Sequence, residues 1–277
     1  MILRTGSAGG LRSLPINSLA PNMLTVLALC AGLTSIRFSL NESWQLAVTA
    51  ILVAEVLDGL DGRLARLLKG TSKFGAELDS LSDFVCFGVA PSILIYLWTL
   101  NDLGGVGWIL VLAFIVCCAL RLARFNTALD SDNQPTWAAN FFMGVPAPAA
   151  GGLVILPVVL SFQVAESFFH YPVVNGLVVA AVAFLMVSKV PTYSFKRVRV
   201  RREFILPVLI VVGLLAAVLW SYPWLTLTSF GVLYVASILV SVRAYRRYAG
   251  EEMDEIRVAG PEDALTDDDE ALNEKLK

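Results

Sequence analysis

The chain has 277 residues, 57% of them hydrophobic and 16% charged, with a mean hydropathy of +0.71. This composition excludes an ordinary soluble domain and a disordered chain, and points to a polytopic membrane protein. The net charge of −2 is uneven: residues 249–277 hold eleven acids against three bases, a net of −8, which leaves +6 on the rest. That body suits anionic lipid and phosphate partners, and nothing in it calls for nucleic acid.

In chain order, residues 1–20 lack the uninterrupted apolar run of a secretory signal and are expected to form an interfacial segment along the membrane. Hydropathy predicts eight helices, roughly 22–40, 43–68, 75–99, 106–125, 146–163, 172–192, 204–220 and 223–242. Each is close to the ~20 residues that a bilayer crossing requires. The fold class is therefore all-α, a polytopic transmembrane bundle of about eight spans occupying residues 21–248. Residues 249–277 contain Gly260-Pro261 and the run Asp267-Asp268-Asp269-Glu270 and read as an acidic, disordered tail.

Lys and Arg placement sets the orientation. Arg4 and Arg12, then Arg63, Arg66, Lys69 and Lys73, then Arg121 and Arg124, then Lys196–Arg202, and finally Arg243, Arg246 and Arg247 fall on one side when the spans are even in number. That side is cytoplasmic by the positive-inside rule, and both termini lie on it. Arg37 is the exception. Trp44, Trp98, Trp108, Trp220 and Trp224 mark the opposite interface. Cys30, Cys86, Cys117 and Cys118 all lie within apolar spans without metal-ligand spacing and read as buried thiols. His170 is the only histidine and falls in an outer loop, which argues against a histidine-based catalytic dyad.

The second and third helices carry the chemistry. Residues three and four apart share a helix face, so Asp58, Asp61, Gly62 and Ala65 form one stripe. Asp79 and Asp83 form a second, early in the next helix, and the turn between them brings the stripes together. A single acid at mid-membrane costs about 2.5–3.5 kcal/mol, less near the interface, and four require a compensating partner. Arg63 and Arg66 offset part of that charge. Convergent carboxylates are a hard-oxygen site for Mg²⁺ or Mn²⁺. Gly62 and Gly75 allow close approach, Ala65 leaves room for a flat base, and Arg66 offers a planar fork to a phosphate. The competing reading is that the glycines serve helix packing and Arg66 snorkels to the interface.

The continuous pattern Asp58-x2-Asp61-Gly62-x2-Ala65-Arg66-x8-Gly75-x3-Asp79-x3-Asp83 resembles the signature of the CDP-alcohol phosphotransferase family at every fixed position. The resemblance implies transfer of a phosphatidyl-type group from a CDP-linked lipid to an alcohol, with release of CMP. It implies that Asp58, Asp61 and Asp79 bind metal, and that Asp83 completes a second metal site and acts as general base. Asn22, Thr25, Asp61, Gly62, Ala65, Arg66 and Gly75 would hold the CDP group. For Pro21-Asn22-x2-Thr25 a plain helix start is an equal alternative. The resemblance also implies a homodimer in a bacterial cytoplasmic membrane, with two divalent cations at a site facing the cytoplasm.

The acceptor rests on wider segments. Residues 74–91, Leu120–Asn126, Gly144–Ala150 and Met186–Lys189 resemble the phosphatidylserine synthase branch, which implies CDP-diacylglycerol and L-serine as substrates. Cys86 departs from the Ser expected in many members. Arg121, Arg124 and Asn126 are candidates for binding serine, the arginines through its carboxylate; the alternative is that the two arginines anchor a helix end. Glycerol 3-phosphate, inositol phosphate or choline would keep the chemistry and change the acceptor. A divalent-cation transporter would instead place its acids near the midplane on broken helices. Glu77 lies on the face opposite Asp79, and Glu55 has no assigned role.

Overall fold

The computed structural model describes residues 16–70, 72–129, 141–164, 169–188, 191–193 and 205–238. Their helices are α1 (Ile16–Leu40), α2 (Trp44–Leu67), α3 (Lys73–Asp83), α4 (Ala90–Trp98), α5 (Gly105–Leu129), α6 (Ala147–Ser161), α7 (Pro172–Val187), α8 (Ile205–Ser221) and α9 (Pro223–Ile238). A π-helical turn, Phe84–Val89, joins α3 to α4, so Lys73–Trp98 forms one 26-residue span. Each of the eight apolar segments anticipated from the sequence contains a helix among the described residues, but the sixth, expected over 172–192, stops at Val187, and Pro191 and Thr192 belong to a strand. One short element departs from an all-helical chain: β1 (Phe141–Met143) pairs antiparallel with β2 (Pro191–Tyr193). The interfacial segment before residue 16, the acidic tail and the basic run Lys196–Arg202 lie outside the described residues.

By length and composition, three helices among the described residues are able to cross a membrane: Leu19–Leu40, Lys73–Trp98 and Gly105–Thr127. Gly213–Ser221 and Pro223–Ile238 meet at a 119° bend and add a fourth if they count as one span. Helix α2 is 24 residues long, but its second half carries Glu55, Asp58, Asp61, Arg63 and Arg66. Helices α6 and α7 have 15 and 16 residues, about 23 Å of rise, against a hydrocarbon core of about 30 Å.

The core runs through the middle of the bundle and includes Ile51, Phe87, Leu94, Phe114, Val154 and Met186. Leu, Val and Ile side chains on the outer faces of α1, α5, α8 and α9 are exposed, as lipid-facing helices require. Cys30 is among the exposed residues, not the buried ones, because it sits on the outward face of α1. Cys86 and Cys118 are buried as expected, and Cys117 is half-buried. At the end remote from the aspartates, Trp98 stacks edge-on against His170 at 4.8 Å and Trp224 against Phe162 at 4.8 Å. Tyr96 and Trp108 meet at 5.3 Å.

Two local signals build the turn that the site depends on. Helix α2 ends with Lys69 at φ +50°, while Lys69 N–H donates to Arg66 O and Gly70 N–H to Ala65 O. This is the double hydrogen bond of a left-handed helix stop. Ser72 then caps α3, accepting from Gly75 N–H at 3.0 Å, which satisfies one of the helix's free amides. Helix α1 packs against both α2 and α3, so it holds the end of α2 and the start of α3 around a common site.

Candidate active site

Helices α2 and α3 bring Asp58, Asp61 and Asp79 together, with one carboxylate oxygen from each within 4.8 Å of the others. Asp83, one turn beyond Asp79, lies outside that trio, on the side of Asp58; the two carboxyls are within hydrogen-bonding reach of each other. The donor set passes a chemical test for a divalent cation. All donors are hard oxygens, and ligand atoms on an octahedral Mg²⁺ lie up to about 4.2 Å apart. A small closure of the trio therefore meets the requirement. The same carboxylates without a cation would be an uncompensated cluster in apolar helices.

A pocket of about 200 Å³ opens beside the trio, lined by Pro21, Asn22, Thr25, Asp61, Gly62, Ala65, Gly70, Ser72, Gly75, Ala76 and Asp79. Six of the seven residues expected around a CDP group (Asn22, Thr25, Asp61, Gly62, Ala65 and Gly75) are in this lining. Arg66 is not; it is exposed at the end of α2. Gly70, Ser72 and Ala76 were not foreseen as pocket residues, although Ser72 carries a readable signal as a helix cap.

Helix α1 fixes the pocket's floor. Thr25 Oγ1 donates to Asp61 Oδ2 at 2.5 Å, which orients the only fully buried aspartate of the cluster. A β-carbon on Gly75 would sit 2.8 Å from Asn22 Oδ1, whereas one on Gly62 would meet nothing within 4 Å. Gly75 is thus required by contact between α1 and α3, while Gly62 faces open space of the kind a ligand fills. Ser82 Oγ donates to Thr25 O at 3.3 Å and Cys86 Sγ to Ala28 O at 3.3 Å. A β-carbon on Gly32 would lie only 2.7 Å from Cys86 Sγ. Cys86 therefore joins α1 to the π-helical turn, a packing role that accounts for the tolerated departure from Ser.

The three candidates from α5 have different surroundings. Arg121 lies above the Phe125 ring at 5.9 Å, within electrostatic reach of Asp83. Arg124 Nη1 donates to Val187 O at 3.2 Å, at the C-terminal end of α7, where a cation also complements the helix dipole. Asn126 Nδ2 donates to Ser80 Oγ at 2.9 Å, next to Asp79 in sequence. Glu77 is exposed, off the carboxylate face. Glu55 lines a second cavity of about 580 Å³ between α2, α6 and α9, whose other walls include Leu52, Leu153, Leu156, Leu227 and Tyr234.

Comparison with known proteins places this geometry in a family. The profile described as CDP-alcohol phosphatidyltransferase matches residues 18–187, and a second, CDP-alcohol phosphatidyltransferase 2, matches residues 203–238. The chain is 38% identical over 226 residues to the CDP-diacylglycerol–serine O-phosphatidyltransferase of Mycobacterium tuberculosis, covering 82% of this chain and 79% of that protein. Its counterpart in Helicobacter pylori is 36% identical over 209 residues, 73% of this chain and 84% of the relative. The Bacillus subtilis protein of the same name is 36% identical over 178 residues, 64% of this chain and 91% of the relative. With the aspartate signature assembled on two adjoining helices and profile and relatives in agreement, the chain belongs to the CDP-alcohol phosphatidyltransferase family.

Proposed function

We propose that the protein transfers a phosphatidyl group from CDP-diacylglycerol to L-serine, producing phosphatidylserine and CMP. The observation that carries this reading is the carboxylate trio on the wall of the pocket formed by Asn22, Gly62 and Gly75. The names of its relatives in three bacterial species support serine as the acceptor. Asp58, Asp61 and Asp79 would hold a divalent cation, Mg²⁺ or Mn²⁺, with Asp83 and Asp58 contributing to a second. Bound there, the cations supply charge neutralisation at the pyrophosphate and at the departing CMP.

The chain's own groups account for the rest. Gly62 and Ala65 leave space for the cytidine, and Asn22 and Thr25 close the pocket from α1. Arg66, exposed beyond the pocket rim, is left to meet phosphate from outside. Asp83 accepts the proton of the serine hydroxyl as its oxygen attacks the phosphorus that bears diacylglycerol. The bond from that phosphorus to the bridging oxygen breaks, and CMP carries away the electron pair. Cys86, one turn beyond Asp83, is tied to α1 through Ala28 O, and His170 packs on Trp98 at the other end of the bundle, which favours direct attack. The apolar cavity between α2, α6 and α9 suits the acyl chains of the lipid. Two features disfavour a phosphorylated acceptor: Arg124 is engaged at the end of α7, and Arg121 is the one cation of α5 within reach of Asp83.

An eight-span bundle with both termini and the carboxylate site on the cytoplasmic side of a bacterial membrane completes the reading, together with a homodimeric assembly. Residues 21–248 would form the transmembrane domain, preceded by the interfacial segment and followed by the acidic tail. The test is CMP release by purified protein in vesicles containing CDP-diacylglycerol, with Mg²⁺ or Mn²⁺ and one candidate alcohol at a time. Serine-dependent release, abolished by EDTA and restored by either metal, is expected. Release without serine, or none with it, would overturn the assignment.

A further inference from the structure

Asn126, in the last turn of α5, has no part in the transfer proposed for this protein, yet its side chain is committed. Asn126 Nδ2 donates to Ser80 Oγ at 2.9 Å, and Ser80 Oγ donates to Ala76 O at 3.0 Å. A hydroxyl has one hydrogen to give, so the Ser80 oxygen is left to accept from the amide. The two bonds join the end of α5 to the turn of α3 that carries Asp79. Elsewhere α5 packs mainly on α7 and on the π-helical turn beyond Asp83.

A second serine ties the same helix from the other side. Ser82 Oγ donates to Thr25 O on α1 at 3.3 Å, and Gly75 abuts Asn22 of α1. At 3.6 residues per turn, Ser80 and Ser82 stand about 160° apart around α3, and the arc between them carries Gly75, Asp79 and Asp83. Helix α1 therefore holds one edge of the carboxylate face, and Asn126 holds the other. Helix α3 needs both ties. It is only 11 residues long, and the π-helical turn Phe84–Val89 that follows it offsets side-chain register between α3 and α4. The packing of α4 thus does not by itself set the rotation of α3.

We propose that Asn126 is a positioning residue: through Ser80 it fixes the rotation of α3 that turns Asp79 toward Asp58 and Asp61, and it does not bind serine. This role rests on the proposed cation-dependent transfer and gives Asn126 a place outside the acceptor site. A hard cation takes its carboxylate oxygens together, so looseness in α3 weakens cation binding before it touches the acceptor. Ser80 escapes a motif-based reading because it is one residue off the carboxylate face, and its partner lies 46 residues away on another helix.

Mn²⁺ binding to the full-length protein in lipid nanodiscs, read from the EPR signal of the free ion with no substrate present, tests this apart from turnover. Asn126→Ala should raise the Mn²⁺ dissociation constant about fivefold, the effect of one neutral hydrogen bond. Ser80→Ala should do the same, and the double variant should be no worse than either, because both changes cut one link. At saturating Mn²⁺ the serine KM should stay within about twofold of the parent's, and the unfolding temperatures should be unchanged. A raised serine KM with unchanged Mn²⁺ affinity would overturn the role and make Asn126 an acceptor ligand. Unchanged affinity with a lowered unfolding temperature would reduce the bond to a structural one, and additive losses in the double variant would break the link between the two residues. A parent protein that binds Mn²⁺ but releases no CMP with serine would overturn the acceptor assignment and leave the role of Asn126 standing. A parent that binds no Mn²⁺ would overturn that role together with the cation site.

Discussion

At the residue scale, the two glycines of the signature do opposite jobs, and substitution separates them. Gly75 is pressed against Asn22, while Gly62 faces open pocket. Gly62→Ala should therefore raise helix stability by up to about 1 kcal/mol and weaken CDP-lipid binding, because the new methyl group occupies ligand space. A thermal melt paired with a KM for CDP-diacylglycerol measures both; a higher melting point with unchanged KM would mean the pocket is not the nucleotide site. Asp79→Asn should lower turnover at least 100-fold with the fold intact, consistent with loss of a charge that the reaction requires. Substantial CMP release by that variant would remove Asp79 from the site. That Gly62, Gly75 and Asp79 belong to one pattern was legible in the sequence from residue type and spacing, but there both glycines had the same role. The contact with Asn22 was not, since nothing in a one-dimensional pattern says which helix faces a glycine.

At the scale of elements, the connections hold the site's geometry. The Gly144-Val145-Pro146 segment meets the end of α7: Gly144 has φ +81°, and a β-carbon there would lie 2.5 Å from Met186 O. Val145 N–H donates to Leu185 O at 3.3 Å, and Arg124 holds the next turn through Val187 O. Gly144→Ala combines a left-handed backbone with a carbonyl clash, so it should destabilise the protein by roughly 1–3 kcal/mol and lower the unfolding temperature without a specific effect on substrate KM. A melt unchanged from the parent would show that the loop relaxes freely. The π-helical turn Phe84–Val89 is the element that sequence reading missed. An extra residue in one turn leaves no hydropathy signature, and such turns often adjoin functional sites; this one begins directly after Asp83. The helices themselves were legible because their apolar runs are long, and their ends differ by a few residues where caps and turns intervene.

At the scale of the whole molecule, the described bundle separates its arginines from its tryptophans. Arg63, Arg66, Arg121 and Arg124 gather at the aspartate end, whereas Trp98, Trp108 and Trp224 sit at the other. The eight-span topology predicts that the turn at Lys69 and the loop at Asn101 lie on opposite sides of the membrane. In a cysteine-free background, Asn101→Cys should react with a membrane-impermeant maleimide added outside intact cells, and Lys69→Cys only after permeabilisation. Labelling of both from the same side would exclude that topology.

Composition and spacing determined by themselves that this chain is a helical membrane protein with a carboxylate-rich site on its second and third apolar segments. Burial of charge is so costly that acids persist in apolar helices only where something compensates them. Tertiary structure alone decided which groups meet: Thr25 on Asp61, Asn22 against Gly75, and Cys86 against α1. Such pairings depend on the rotation and crossing of helices far apart in sequence, and helical periodicity specifies a face without specifying its partner. Packing separated the two arginines in the same way, by placing Arg124 at the end of α7 and leaving Arg121 Nε buried without a hydrogen-bond partner among the described residues.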